Sequence, residues 1–181
     1  LHDGHLSLMK HARQDCDHLV VSIYVNPLQF GANEDLETYP RDPDGDAAKC
    51  TAAGVDTLFL PTDLYNADHS TTVTVSGLTE RLCGHSRPGH FDGVTTVVAR
   101  LFGLIQPTIA VFGEKDYQQL AVIRRMVRDL CMAVEVVGCP LVRDHDGLAL
   151  SSRNKTLNAP NRARALTLHQ ALHIIRDSPL P

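Results

Sequence analysis

The sequence predicts an α/β fold, a parallel sheet with helices on both faces. Short apolar runs alternate with helix-length segments along the 181-residue chain. The runs lack the strict in–out alternation of a half-exposed strand, as strands buried on both faces do. Polar clusters rich in reactive side chains follow directly after two of the runs, where open parallel sheets place their ligands.

Residues 5–15 set Leu6, Met9 and Arg13 on one side, with Leu8 and Ala12 close by, which predicts an amphipathic helix. Residues 18–25 (HLVVSIYV) read as a buried strand that Asn26-Pro27 stops. An Asp-rich start and Gly54 beyond the end predict a helix over 41–53. Residues 55–60 (VDTLFL) read as a second strand, ended by Pro61. Residues 61–76 are polar and read as irregular, apart from a short strand near Val73–Val75. The Gly- and Pro-rich stretch 84–93 (GHSRPGHFDG) predicts a loop, and 94–105 a buried helix despite its β-branched start. Pro107 opens a third strand, Thr108–Phe112. A helix follows over 116–131 with Leu120, Ile123 and Val127 inward, then a fourth strand, Ala133–Val137. Asn158 and Pro160 start a last helix that runs to about Arg176. Basic residues gather after position 142 (Arg143, Arg153, Lys155, Arg162, Arg164), which predicts a domain boundary between 1–142 and 143–181.

Seventeen Lys and Arg stand against 21 Asp and Glu, a net charge of −4. That balance argues against a sequence-independent nucleic-acid binder. No apolar run approaches the roughly 18 residues of a membrane span. The five cysteines (Cys16, Cys50, Cys83, Cys131, Cys139) are odd in number and none has the spacing of a zinc or redox motif. They are expected to be reduced and mostly buried, as in a cytosolic protein. The start at Leu1 and the stop at Pro179-Leu180-Pro181, just after a helical pattern, read as cuts through a longer protein.

Several clusters carry chemistry. His2-Asp3-Gly4-His5 precedes a helix, and histidines three apart at a helix start can donate to an anion beside the free backbone N–H groups. Two surface histidines are the alternative. Leu150-Ser151-Ser152-Arg153-Asn154 joins two hydroxyls to a guanidinium, a phosphate clamp or a polar loop. Gly113-Glu114-Lys115-Asp116 follows the third strand; Lys115 suits a nucleotide phosphate, and Asp116 either orients it or caps the next helix. Gln29, in Asn26-Pro27-Leu28-Gln29-Phe30, and Gln119 offer neutral amides for a hydroxy acid. The loop from Ser86 to Gly93 reads either as a mobile cover, with Arg87 and His90 reaching the ligand, or as plain surface.

Together these residues resemble the pantothenate synthetase (pantoate–β-alanine ligase) family. LHDGH at 1–5, VSIYVNPLQF at 21–30, YPR at 39–41, SRPGHFDGV at 86–94, FGEKDYQQL at 112–120 and DGLALSSRN at 146–154 carry the likeness, in family order and over nearly the whole chain. An HxGH element alone fits any nucleotidyltransferase of that superfamily; the other motifs are far more specific.

The resemblance implies a Rossmann-like ATP- and pantoate-binding domain over 1–142, and the start of a smaller α+β lid domain over 143–181. It implies condensation of pantoate with β-alanine, with ATP converted to AMP and pyrophosphate through a pantoyl-adenylate. His2 and His5 match histidines that contact ATP phosphates, His5 the one assigned as proton donor. Leu1, Asp3 and Gly4 fall in the same ATP-binding motif, and Gly113, Glu114, Lys115 and Asp116 in a second. Val142 matches a backbone contact on the adenine side. Leu150, Ser151, Ser152 and Arg153 match the loop that closes over the phosphates. His5, His2, Lys115 and Arg153 would serve catalysis; Gln29 and Gln119 match the glutamines that hold pantoate, Gln29 also lying near β-alanine. Mg²⁺ is expected with ATP, and a cytoplasmic homodimer without nucleic-acid or membrane partners is implied. The family's apolar strand and turn before LHDGH have no counterpart here, which predicts a gap in the centre of the sheet and part of the second domain missing. The rival readings are a nucleotidyltransferase acting on another acid or a phosphate ester, an inactive binding module, and a nucleic-acid binder like the synthetase relatives.

Overall fold

The computed structural model describes residues 1–32 and 34–178; Asn33 and the terminal Pro179-Leu180-Pro181 lie outside the described residues. The elements run α1 (Asp3–Ala12), β1 (Val20–Ser22), α2 (Pro43–Ala52), β2 (Thr57–Phe59), α3 (Cys83–Ser86), α4 (His90–Ile105), β3 (Ile109–Gly113), α5 (Tyr117–Asp129), β4 (Glu135–Cys139) and α6 (Ala159–Asp177). Strands alternate with helices, so the α/β class stands. Every described ladder is parallel. β1 pairs with β2, Val20 opposite Thr57, and β3 pairs with β4, Ile109 opposite Glu135.

The single sheet of the sequence reading is here two two-stranded ladders. An apolar groove of about 550 Å³ lies between them, lined by β1, by β3, by Leu8 and Met9 of α1 and by Leu101, Phe102 and Ile105 of α4.

Two cores hold the layers. The larger joins Phe91, Val94, Val97 and Val98 of α4 to Val122, Ile123 and Met126 of α5, with Leu64 and Val75. The smaller joins Met9, Leu19 and Cys50. β-Branched residues tolerate the helical start of α4 because each is buried against a neighbour, and Thr95 Oγ1 returns a hydrogen bond to Phe91 O at 2.8 Å.

Several expectations need correction. Val73–Val75 forms no ladder. Its backbone is satisfied by α4, with Val73 N donating to Thr96 Oγ1 at 3.0 Å and Val73 O accepting from Thr95 Oγ1. The predicted loop 84–93 contains most of α3 and the first turn of α4. Gly89 sits at the N-cap of α4 with φ +79°, a conformation that lets the helix begin at once at His90. β4 begins two residues later than expected, and α1 two earlier. Of the cysteines, all free, Cys50 and Cys139 are buried, Cys16 is half-buried, and Cys83 and Cys131 are exposed.

Beyond β4 the described residues form an antiparallel bridge, Arg143 with Ala149, a 3-10 turn over Ser152–Thr156, and α6. Asn158 caps α6, its side chain accepting from Asn161 N at 2.9 Å. Leu168, Leu172, Ile174 and Ile175 of α6 stand exposed. Among the described residues no helix is long and apolar enough to cross a membrane.

Candidate active site

A cavity of about 380 Å³ opens where the ends of β1 and β3 meet the start of α1. It is lined by His2, Gly4, His5, Gln29, Gly113, Lys115, Asp116, Gln119, Val142, Leu150, Ser151, Ser152 and Arg153, so one space gathers segments far apart in the chain. Three expected residues lie outside the lining. Leu1 faces the apolar groove. Asp3 is exposed on the outer side of the first turn of α1. The Glu114 carboxylate lies beside Gly138 of β4.

The two histidines are linked through the helix start. His2 N donates to His5 Nδ1 at 3.2 Å, and the rings lie 3.9 Å apart between centroids. An Nδ1 that accepts places the His5 proton on Nε2. Burial, with His2 beside it, pushes His5 down to about 4, so the ring is neutral at pH 7. Burial lowers His2 as well, and its Nδ1 is buried with no partner among the described residues.

The amide wall is built on Asn26, 2% exposed. Asn26 Nδ2 donates to Gly93 O at 3.0 Å and to Gln29 Oε1 at 3.2 Å. Its Oδ1 accepts from Tyr65 Oη at 2.9 Å and from Leu28 N at 3.3 Å. Burial pushes Tyr65 up to about 12, so the phenol keeps its proton and remains a donor. With Oε1 held by Asn26, Gln29 has its Nε2 hydrogens left for a ligand. Gly93 allows α4 to approach this turn, since a Cβ there would stand 2.3 Å from Leu28 O.

Three cations surround the cavity, and each has a carboxylate partner. Lys115 Nζ donates to Asp116 Oδ1 at 3.2 Å. Asp116 sits at the N-cap of α5 without a side-chain capping bond, so of its two predicted roles the contact with Lys115 is the one formed. Arg153 donates from Nε and Nη2 to Asp35, both at 2.7 Å, and its guanidinium lies 5.2 Å from the Tyr39 ring centre. Arg87 donates from Nε and Nη2 to Glu34 at 2.6 and 2.5 Å. These two bidentate pairs hold both carboxyls below, and both guanidiniums above, their ordinary values. Arg87 and His90 line the cavity as expected, but their polar atoms engage Glu34, each other and Gln29 O.

Sequence reasoning misses Glu34 and Asp35 altogether, and it reaches Asn26 and Tyr39 only within motifs. Adjacent carboxylates in a turn give no signal of their own when their partners lie 53 and 118 residues away. Among the described residues no group of three or more His, Cys, Asp or Glu is placed to hold a metal ion.

A sequence model of the pantoate-β-alanine ligase family matches residues 1–179. The pantothenate synthetase of Moorella thermoacetica is 56% identical over 179 residues, covering 98% of this chain and 63% of that protein. The bifunctional pantoate ligase/cytidylate kinase of Thermosynechococcus vestitus is 58% identical, covering 96% of this chain and 35% of that protein. The crystal structure of pantothenate synthetase from Thermus thermophilus superposes with a TM-score of 0.96 at 56% identity, over 98% of this chain and 65% of that one. The enzyme from Francisella tularensis, complexed with β,γ-ATP and β-alanine, superposes with a TM-score of 0.90 at 38% identity, over 98% of this chain and 68% of that one. The chain thus spans about two thirds of the length of three of these relatives and about a third of the bifunctional one. By motif order, sequence and fold alike, it belongs to the pantoate–β-alanine ligase family.

Proposed function

We propose that the protein condenses pantoate with β-alanine at the expense of ATP, giving pantothenate, AMP and pyrophosphate. The observation that carries this reading is the shared cavity. Neutral amides (Gln29, Gln119) face the same space as neutral histidines (His2, His5) and phosphate-seeking cations (Lys115, Arg153). At about 380 Å³, the space falls within the range of small-molecule sites.

The chemistry needs no enzyme nucleophile. A pantoate carboxylate oxygen attacks the α-phosphorus of ATP, the bond to the β-phosphate oxygen breaks, and pyrophosphate leaves. The β-alanine amine then attacks the carbonyl carbon of the pantoyl-adenylate; a C–N bond forms, the C–O bond to AMP breaks, and the amine proton passes to solvent. The residues align and stabilise charge. Gln29 Nε2 and Gln119 hold pantoate. His5 Nε2–H donates to a phosphate oxygen, and Lys115 and Arg153 meet charge developing on the leaving pyrophosphate. Gly4 lets the phosphates approach the start of α1, and Val142 takes the adenine side. Alignment alone supplies about 7–11 kcal/mol of such a barrier.

Mg²⁺ enters this reading with ATP, as part of the substrate. Among the described residues Asp116 is the one carboxylate in the cavity lining, and it is paired with Lys115, which suits a cation held mainly by phosphate oxygens and water. The same reading divides the chain into a nucleotide- and pantoate-binding domain over 1–142 and the start of a lid over 143–181. It places a homodimer in the cytoplasm, with small-molecule partners and neither nucleic acid nor membrane.

Pyrophosphate release from MgATP with pantoate, with and without β-alanine, tests the proposal. Release that requires pantoate and quickens with β-alanine is expected. Release that ignores pantoate, or follows another acid in its place, overturns it. A phosphate ester is the weaker alternative substrate, because Gln29 and Gln119 offer it no charge.

A further inference from the structure

We propose that Glu34 is a positioning residue that masks Arg87 from the ligand and, through Arg87, locks His90 and the turn carrying Gln29. The geometry stands by itself; its consequence for pantoate rests on the function proposed above.

Glu34 lies in the loop after the Pro27–Gln29 turn, and Arg87 lies 53 residues on, between α3 and α4. The two meet fork to fork, Arg87 Nε on Glu34 Oε1 and Nη2 on Oε2. A planar bidentate pair fixes the guanidinium in orientation as well as position. The third nitrogen, Nη1, then lies 3.1 Å from His90 Nε2. A guanidinium only donates, so His90 Nε2 is the acceptor and the imidazole proton resides on Nδ1. Nδ1 lies 2.9 Å from Gln29 O and donates to it. Nη2 lies 3.5 Å from that same carbonyl oxygen. Glu34 thus holds the guanidinium that, together with the Gln29 carbonyl, fixes the tautomer of His90, and it braces the backbone of the residue proposed to hold pantoate. Burial, with Arg87 nearby, lowers His90, which keeps the relay neutral.

The pairing also sets the charge of this wall. Arg87 lines the cavity, yet each of its three nitrogens is engaged within the protein. A free cation here would attract any compact anion. With Glu34 in place, the wall presents amide donors, which suit a singly charged hydroxy acid and give phosphate no advantage.

The test uses the 181-residue chain and two readouts that need no turnover. In ¹⁵N NMR at about pH 7.5, well above the lowered His90 value, His90 is expected as the Nδ1–H tautomer in the parent. Glu34→Gln is expected to loosen the Arg87 contact at Nε2, so that Nε2–H appears beside the Nδ1–H form that Gln29 O still favours. Inorganic phosphate, titrated against the His90 and Gln29 resonances, is expected to bind Glu34→Gln about tenfold more tightly, the scale of one charge-assisted hydrogen bond gained. In turnover, the same variant is expected to raise KM for pantoate about tenfold while leaving KM for ATP within about twofold, and Glu34→Asp to recover part of the loss. Arg87→Lys, which keeps the charge and loses the fork, should release His90 in the same way if Glu34→Gln does not fold. An Nε2–H tautomer in the parent overturns the proposal. So does a folded Glu34→Gln protein with unchanged His90 and unchanged phosphate binding. Failure of the ligase reading would instead appear as absent pantoate turnover in the parent, with the His90 tautomer as proposed.

Discussion

The backbone N–H of His2 donates to Nδ1 of His5 at 3.2 Å, and this bond decides what His5 offers a ligand. Nδ1 is occupied as an acceptor, so the ring keeps a neutral Nε2–H. His5 is therefore expected to act first as a hydrogen-bond donor and to become an imidazolium only when anionic charge reaches it. ¹⁵N NMR titration should place the His5 pKa near 4 in the free chain, and excess triphosphate should raise it by at least about one unit. A free-chain value near 6.5 would remove the basis for this role.

The same depression has a cost in stability. Between pH 6.5 and 4 the unfolded chain binds a proton at His5 that the folded chain refuses, so stability falls as pH drops through that window and levels off below it. The full shift corresponds to about 3 kcal/mol, and the partial exposure of the ring reduces this to about 1–2 kcal/mol. Denaturant unfolding at about pH 7 and about pH 4.5 should show the loss, and His5→Gln should shrink it. An equal loss in the variant would assign the effect to other groups.

Gly93 carries a prediction about the amide wall. A methyl group there would stand 2.3–2.5 Å from the backbone of Leu28 and Gln29, atoms that cannot swing aside as a side-chain tip can. Gly93→Ala is expected to destabilise by about 1–3 kcal/mol and to push the Pro27–Gln29 turn away from α4. Pantoate binding should weaken more than ATP binding. Equal weakening of both, measured by calorimetry, would mean that the turn does not serve pantoate in particular.

Much of this is legible in the sequence, for identifiable reasons. The HxGH histidines, Gln29 after β1 and Lys115 after β3 are local signals, in which a residue type and its place beside an element carry the meaning. The failures involve contacts across the chain. Val73–Val75 looks like a strand because β-branched residues favour one, yet Thr95 and Thr96 of α4 satisfy the Val73 backbone and no ladder forms. Glu34 and Asp35 look like a solvated turn, and only the fold brings Arg87 and Arg153 to them. The stretch 84–93 reads as a loop because three glycines and a proline usually interrupt structure, whereas here the positive φ of Gly89 starts a helix.

Asp35 stands in for an anion on Arg153. The bidentate bonds at 2.7 Å use the donors that a phosphate would seek, so on the proposed reading a nucleotide phosphate would compete with Asp35 for one guanidinium. Asp35→Asn is expected to tighten pyrophosphate binding about three- to tenfold, with the Tyr39 contact still limiting the swing of Arg153. Isothermal titration decides it. Weaker binding in the variant would show that Asp35 prepares Arg153 for the ligand and does not oppose it.

Asn26 gives the sharpest test of how the pantoate side is read. Its Nδ2 donates to Gly93 O and Gln29 Oε1, and its Oδ1 accepts from Tyr65, all in a site 2% exposed. Asn26→Asp keeps the shape and the bond from Tyr65 but replaces the Nδ2 donor with an acceptor. Gly93 O then loses its partner, at about 1–3 kcal/mol for a buried group left unpaired. Gln29 must also turn its Nε2 toward the new carboxylate, which leaves Oε1 facing the cavity. An acceptor would then meet pantoate's carboxylate where a donor stood. KM for pantoate should rise about 10- to 100-fold while KM for ATP changes little. Asn26→Ala, which removes the Nδ2 donor without adding a charge, should leave Gln29 free to choose its orientation and cost less. If the two variants lose pantoate equally, the orientation of Gln29 is not what Asn26 supplies, and its part is confined to holding α4 against the turn.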